Sequence, residues 1–231
     1  MKTKIEMYST SSLKHGGIFM LALPLLTVSG LGAQSTASGA ARAATPSFQT
    51  LYSMAGGVDG FEPSATVTVG AGGVLYGVTY YGGSTNSGTI FSLTPPPAPG
   101  AAWTHAVLYD FTGGADGENP YGTMAIGPAG VLYGTTENAG ARGHGVAFSL
   151  SPPASSGGAW TETVMHAFGG GTEGGTPEMG LLLGTSGALY GTTAFGGMYG
   201  NGVAFRLIAE SSGGWKEEVL HSFGGSGDGA N

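Results

Sequence analysis

The sequence contains no cysteine among its 231 residues, so neither disulfide bonds nor thiolate metal sites can stabilise the fold. Basic residues are also scarce, with seven lysines and arginines against fourteen acidic residues. From position 44 onward the sequence contains three basic and thirteen acidic residues, which gives a net charge of −10. A surface of this sign repels nucleic acid and lacks the basic patch that phosphate binding requires. We therefore expect no nucleic-acid partner.

No apolar run is long enough to cross a membrane. The run Ile18–Leu26 is short and contains Pro24, whereas a spanning helix needs about 20 residues. Three lysines precede the run, and small-residue cleavage patterns follow at positions 38–43. These features predict an export signal over residues 1–43. The mature chain, 44–231, would then have no membrane span and be secreted, extracellular or held at the cell surface.

Glycine, in contrast, is abundant at 47 residues, and it belongs to an internal repeat. The triplet Leu-Tyr-Gly recurs every 57 residues, at Tyr76, Tyr133 and Tyr190. The same interval separates Phe91, Phe148 and Phe205. The spacings between Trp103, Trp160 and Trp215 are 57 and 55 residues. A regular interval of this length indicates tandem structural units.

Within one repeat the short apolar and aromatic runs alternate with a period of two and are separated by glycine, proline, aspartate and asparagine. Each repeat holds four such runs, which is typical of a propeller blade. We predict an all-β, β-propeller-like fold of tandem four-stranded blades. The predicted ranges are an outer strand at 48–54, repeats at about 55–111, 112–168 and 169–223, and a partial repeat at 224–231.

The recurring pattern F-x-GG-x-DG-x-N-P, followed by G-x-LYGTT and a Trp strand, resembles the GloVer tandem repeat over roughly residues 48–231. The resemblance is strongest at 111–136 and 168–193. It implies exported bacterial proteins with propeller-like repeats and surface anchors that vary in kind, and it carries over no known activity.

The LYGTT block is also similar to a strand of sensor-type propellers, which sets the order of the strands. The innermost strands are then predicted at 65–70, 122–127 and 179–184. The chain ends at Asn231 inside a fourth copy of the DGxNP motif, and three blades are fewer than the about 4–8 of a closed ring. We therefore expect an unclosed propeller from a truncated sequence.

One loop of each repeat carries an acidic residue at a fixed position. Calcium is the one cofactor that such oxygen ligands suggest. The alternative is turn chemistry, in which the carboxylate accepts hydrogen bonds from its own loop. The candidate metal residues are Asp59, Asp116, Glu173 and Asp228.

A second loop varies between copies, at 80–88, 137–145 and 194–202, and carries surface aromatic residues in the first and third copies. Variation among otherwise fixed repeats is what a binding face shows. The alternative is that these rings only shield glycine-rich turns. The candidate ligand-binding residues are Tyr80, Tyr81, Phe195 and Tyr199.

The sequence contains no Ser/His/Asp arrangement or other catalytic motif. His166 and His221 occupy the repeat position of Tyr52 and Tyr109, so we expect them to pack rather than to bind metal. The sequence favours a non-catalytic binding or adhesion module whose partner is a polysaccharide or a surface protein. The alternatives are a glycan-active propeller enzyme and a structural spacer.

Overall fold

The computed structural model of the protein describes the backbone of residues 4–9 and 47–228 and the side chains of residues 48–228. The regular elements in these ranges are β-strands and four single turns of 3-10 helix, so the all-β prediction is confirmed. No helix among the described residues has the length and apolar character needed to cross a membrane. The 3-10 turns are Gly57–Asp59, Ala71–Gly73, Pro128–Gly130 and Gly171–Glu173.

Three antiparallel sheets follow one another along the chain, one for each repeat, and are named blades 1, 2 and 3. Within each blade the strands pair in chain order, except that β3 and β4 both pair with β5. Blade 1 contains β3 (Phe61–Pro63), β4 (Thr68–Val69), β5 (Leu75–Tyr81), β6 (Thr89–Thr94) and β7 (Thr104–Asp110). Blade 2 contains β8 (Glu118–Ile126), β9 (Leu132–Asn138), β10 (Val146–Ser151) and β11 (Thr161–Ala167). Blade 3 contains β12 (Leu182–Leu183), β13 (Leu189–Thr192), β14 (Val203–Ala209) and β15 (Trp215–Ser222).

Two further strands precede the blades. β1 (Lys4–Ser9) pairs with β2 (Ser47–Ser53) in a separate two-stranded sheet. The blades belong to a compact unit that includes residues 51–228. The expected outer strand at 48–54 is thus a strand, and β1 is its partner. Apart from β1, the predicted export signal lies outside the described residues and stays a prediction.

The first strands of successive blades lie beside one another, as predicted for innermost strands. The Thr68 hydroxyl donates to the Met124 carbonyl at 2.6 Å, and the Ser64 hydroxyl donates to the Pro120 carbonyl at 3.0 Å. These first strands are shorter than predicted in blades 1 and 3, where β4 and β12 have two residues each. In blade 1 Ala65 has φ 91°, and this conformation, unfavourable for a side chain, interrupts the strand.

The hydrophobic core lies between successive blades. Phe148 in blade 2 is fully buried, and the ring of Phe111, at the end of blade 1, packs on it with centroids 5.3 Å apart. Phe168 packs on Phe205 of blade 3 in the same way, at 5.1 Å. The phenylalanines that recur every 57 residues are therefore the points where one blade is held by the next.

The glycine of the Leu-Tyr-Gly triplet is required by this core. A Cβ atom added to Gly134 would lie 2.7 Å from Cζ of Phe148, and Gly77 and Gly191 face their own phenylalanines as closely. A contact under 3.0 Å is one that real Cβ atoms do not make. The triplet therefore recurs because each blade places the tip of a phenylalanine ring against the glycine that follows its tyrosine.

Candidate functional site

The fixed acidic loop and the variable loop of each repeat lie side by side on one face. The amide of Gly83 donates to the carbonyl of Gly57 at 2.9 Å in blade 1. The equivalent bonds are Gly140 to Gly114 at 2.9 Å and Gly197 to Gly171 at 2.7 Å. Each variable loop is therefore anchored to the fixed loop of its own repeat.

The fixed carboxylates have protein partners. Asp116 accepts hydrogen bonds from the Tyr109 hydroxyl at 3.1 Å and from the amide of Thr112 at 2.8 Å. The partners at the other copies are Tyr52 and Ala55 for Asp59, Gly169 for Glu173, and His221 for Asp228. These contacts match the turn interpretation, and the calcium site stays a prediction.

We expect Asp116→Ala to lower the free energy of unfolding by about 1–2 kcal/mol, because the variant loses a cap and a charge-assisted bond. Thermal or urea unfolding with and without CaCl2 measures the loss. A stabilising effect of calcium on the wild type that Asp116→Ala abolishes would show that Asp116 is a calcium ligand instead.

Among the predicted aromatic residues, Tyr80 and Tyr81 lie together and Phe195 and Tyr199 lie elsewhere. The rings of Tyr80 and Tyr81 meet edge to face at 4.7 Å, and Tyr121 meets Tyr80 in the same way at 6.0 Å. Phe195 and Tyr199, which are 56% and 53% exposed, belong to the variable loop of blade 3. The structure therefore brings only half of the predicted set to one place.

The three tyrosines line a cavity of about 510 Å³ that all three blades contribute to. It also contains one glutamate from each repeat: Glu62, Glu137 and Glu178. The Tyr80 hydroxyl hydrogen-bonds the Glu137 carboxylate, and burial together with this carboxylate raises the pKa of Tyr80. The cavity thus offers aromatic edges and carboxylate oxygens, with no lysine or arginine among its lining residues.

Sequence reasoning missed Tyr121, Glu137 and Glu178, although a signal for them exists. These residues stand at repeat positions where the copies differ in residue type. Glu137 replaces Tyr80 and Ala194, Glu178 replaces Ser64 and Tyr121, and Glu62 replaces Asn119 and Thr176. Three repeat positions that differ in residue type between the copies therefore contribute side chains to the cavity.

A second set of polar residues lies between blades, two positions after each repeat tryptophan. Glu162 stands there in blade 2, and its Oε1 atom is buried without a hydrogen-bond partner. Burial, and then the charge of Asp116 in the acidic loop of the same repeat, raises the pKa of Glu162 to about 7. His105 holds the equivalent position in blade 1 and faces Asp59. Glu217 holds it in blade 3 and faces His166 and Glu173.

His166 does more than the packing role that its repeat position predicted. Its ring packs edge to face on Phe168 at 4.8 Å, as the equivalent Tyr109 packs on Phe111. The same ring also lies within reach of two carboxylates, those of Glu173 and Glu217. His166 therefore packs as expected, and the structure adds two carboxylates beside its ring, which the sequence did not indicate.

The blades and the cavity define a tandem-repeat protein in which recurrent phenylalanines build the core and residues from all three repeats line one cavity. The family profile described as Gloeobacter/Verrucomicrobia repeat matches residues 26–231. The chain belongs to this family, which confirms the GloVer resemblance. Comparison with curated proteins finds no match.

Proposed function

We propose that the protein is an exported, non-catalytic binding module of the cell surface that holds a polysaccharide in the cavity lined by Tyr80, Tyr81 and Tyr121. One observation carries the proposal: three repeat positions that differ in residue type meet at this cavity, whereas the recurrent phenylalanines are buried between blades. A scaffold that keeps its core and varies one face is typical of repeat proteins that bind ligands.

The chemistry of the lining suits a sugar. Tyrosine combines an apolar ring face with a hydroxyl, so it can stack on a sugar ring and hydrogen-bond its edge. The carboxylates of Glu62, Glu137 and Glu178 supply acceptors for sugar hydroxyl groups. A few polar groups that converge in a concave, partly aromatic site give orientation to a ligand. The other candidate partner is a surface protein with a basic segment, because the glutamates give the cavity a negative charge.

We expect Tyr81→Ala to weaken polysaccharide binding about threefold to tenfold, since one aromatic contact contributes about 0.5–1.5 kcal/mol beyond its area. A glycan array of the purified chain would identify the ligand, and calorimetry would give the two dissociation constants. Met198→Ala is the control, because Met198 is 73% exposed in the variable loop of blade 3.

Phe195→Ala distinguishes the cavity from the exposed loop. If the cavity is the site, Phe195→Ala binds like the wild type. Normal binding by Tyr81→Ala together with weak binding by Phe195→Ala would place the ligand on the loop at 194–202 and contradict the proposal.

The three carboxylates give the alternative, a glycan-active enzyme, its own test. Glycoside hydrolysis uses a pair of carboxyl groups on opposite sides of the bond. Prolonged incubation with the bound polysaccharide, followed by chromatography, would detect shorter products in that case. A structural spacer, in contrast, would show no saturable ligand on the array.

A further inference from the structure

A cluster of potential metal ligands lies between blades 2 and 3 and is separate from the proposed ligand cavity. His166 is on β11, Glu173 is in the loop that follows β11, and Glu217 is on β15, with their ligand atoms all within 4.8 Å of one another. Tetrahedral zinc sites with bonds of about 2.0–2.2 Å place ligand atoms about 3.4 Å apart. The separation of His166 Nε2 and Glu217 Oε2 is 3.7 Å.

The cluster contains buried polar atoms that no protein group satisfies. The side chain of Glu217 is only 8% exposed, and its Oε1 atom has no hydrogen-bond partner. His166 Nε2 is also buried without a hydrogen-bond partner. Such atoms are uncommon in native folds because leaving them unpaired is costly. A cation between them would satisfy both.

The cluster also brings two carboxyl groups to one imidazole. The side chains of Glu173 and Glu217 are 24% and 8% exposed, and both lie beside His166. Two carboxyl groups placed together favour the entry of positive charge.

We infer that His166, Glu173 and Glu217 bind a divalent transition-metal cation, with Zn²⁺ as the representative, and so join blades 2 and 3. Imidazole and carboxylate ligands together suit zinc better than calcium, which takes oxygen ligands. This site differs from the predicted calcium sites because it needs the imidazole.

The equivalent position between blades 1 and 2 provides an internal comparison. It contains Tyr109, Asp116 and Glu162, which keep the two carboxyl groups and lack the imidazole. The variant His166→Tyr copies this arrangement, and the packing of Tyr109 on Phe111 shows that a tyrosine fits there. The variant therefore removes a ligand and keeps the packing.

Arg142 allows a second test, in which the affinity for zinc is expected to change in the opposite direction. Its guanidinium pairs with Glu173 Oε1 and also donates to the Ala167 carbonyl at 3.5 Å. A positive charge beside the cluster opposes a bound cation. Arg142→Gln is therefore expected to raise the affinity for zinc, whereas the ligand variants lower it.

Calorimetric titration of the purified 231-residue chain with ZnCl2 tests the inference. We expect one zinc per chain, and binding at least about tenfold weaker in His166→Tyr and Glu217→Gln, since even outer-shell partners of a metal contribute about 10–100-fold. Glu162→Gln and His221→Tyr should bind zinc like the wild type. Thermal unfolding without metal checks that each variant is folded.

Three results would overturn the inference. One is a wild-type chain that does not bind zinc at micromolar concentration. Another is unchanged affinity in folded His166→Tyr and Glu217→Gln. The third is loss of the site in His221→Tyr, which would place the metal at the exposed His221–Asp228 pair instead.

Discussion

Phe148→Ala is expected to lower the free energy of unfolding by about 3–5 kcal/mol, the usual cost of removing a fully buried phenylalanine. Phe148 is 0% exposed, and it receives the ring of Phe111 from the preceding blade. The variant therefore leaves a cavity at the interface of blades 1 and 2 and not only within one sheet. Urea unfolding followed by circular dichroism or tryptophan fluorescence measures the loss.

Phe195→Ala is the matched control, because it removes the same ring from a position that is 56% exposed. Surface substitutions of this kind usually change stability by less than about 0.5 kcal/mol. Equal losses in Phe148→Ala and Phe195→Ala would contradict the assignment of the core to the interfaces between blades.

Glu162→Gln is expected to be as stable as the wild type near pH 4.5 and more stable at pH 8. The pKa of Glu162 is about 7 in the folded protein, above its ordinary value, because of burial and the charge of Asp116. The folded state then holds more protons than the unfolded state between pH 4.5 and 7, so the stability of the wild type falls as pH rises through this window. Glutamine cannot ionise and avoids this loss.

The full pKa difference would correspond to about 3 kcal/mol, and partial exposure reduces the expected gain to about 1–2 kcal/mol at pH 8. Thermal unfolding of both proteins at pH 5 and pH 8 measures it. Comparison with the wild type at each pH cancels the opposite contribution of His105 and His166, whose pKa values burial lowers.

Glu218→Gln provides a control of opposite sign. Hydrogen bonds from Arg206 and Lys216 lower the pKa of Glu218, so this carboxylate stabilises the fold above its ordinary pKa. Glu218→Gln should therefore be less stable than the wild type at pH 8. A Glu162→Gln variant that is also less stable at pH 8 would show that the ionised Glu162 carboxylate does not destabilise the fold.

The blades could be predicted from the sequence because the repeat marks the groups that must pack. The spacing of Phe91, Phe148 and Phe205 follows from one ring per blade packing in the core, and alternation within each run follows from strand geometry. The glycine of the triplet was visible as a repeat residue, but its reason was not. Only the structure shows that the phenylalanine ring occupies the space of a side chain.

The candidate site could be predicted only in part, because its residues come from different blades. Tyr80 and Tyr81 were found because they follow each other in a variable loop. Tyr121 and Glu178 stand beside the fixed proline of their repeats, where a search for exposed variable loops does not look. Their convergence on one cavity depends on how the blades are placed against one another.

The polar set between blades was missed for a related reason. His105, Glu162 and Glu217 share a position but not a residue type, so a search for identical repeat residues passes over them. Their acidic partners Asp59, Asp116 and Glu173 stand near the start of the same repeat, 44 to 46 positions earlier. The signal that remains is the fixed distance of two residues from each repeat tryptophan.

Hydrogen–deuterium exchange of the purified chain, with and without the polysaccharide that binds best on the array, tests the central proposal most directly. The proposal predicts ligand-dependent protection in peptides that contain the cavity-lining positions 62–64, 80–81, 121, 137 and 178, and little change at 194–202. Protection confined to 194–202, or none at saturating ligand, would contradict the assignment of the cavity as the binding site.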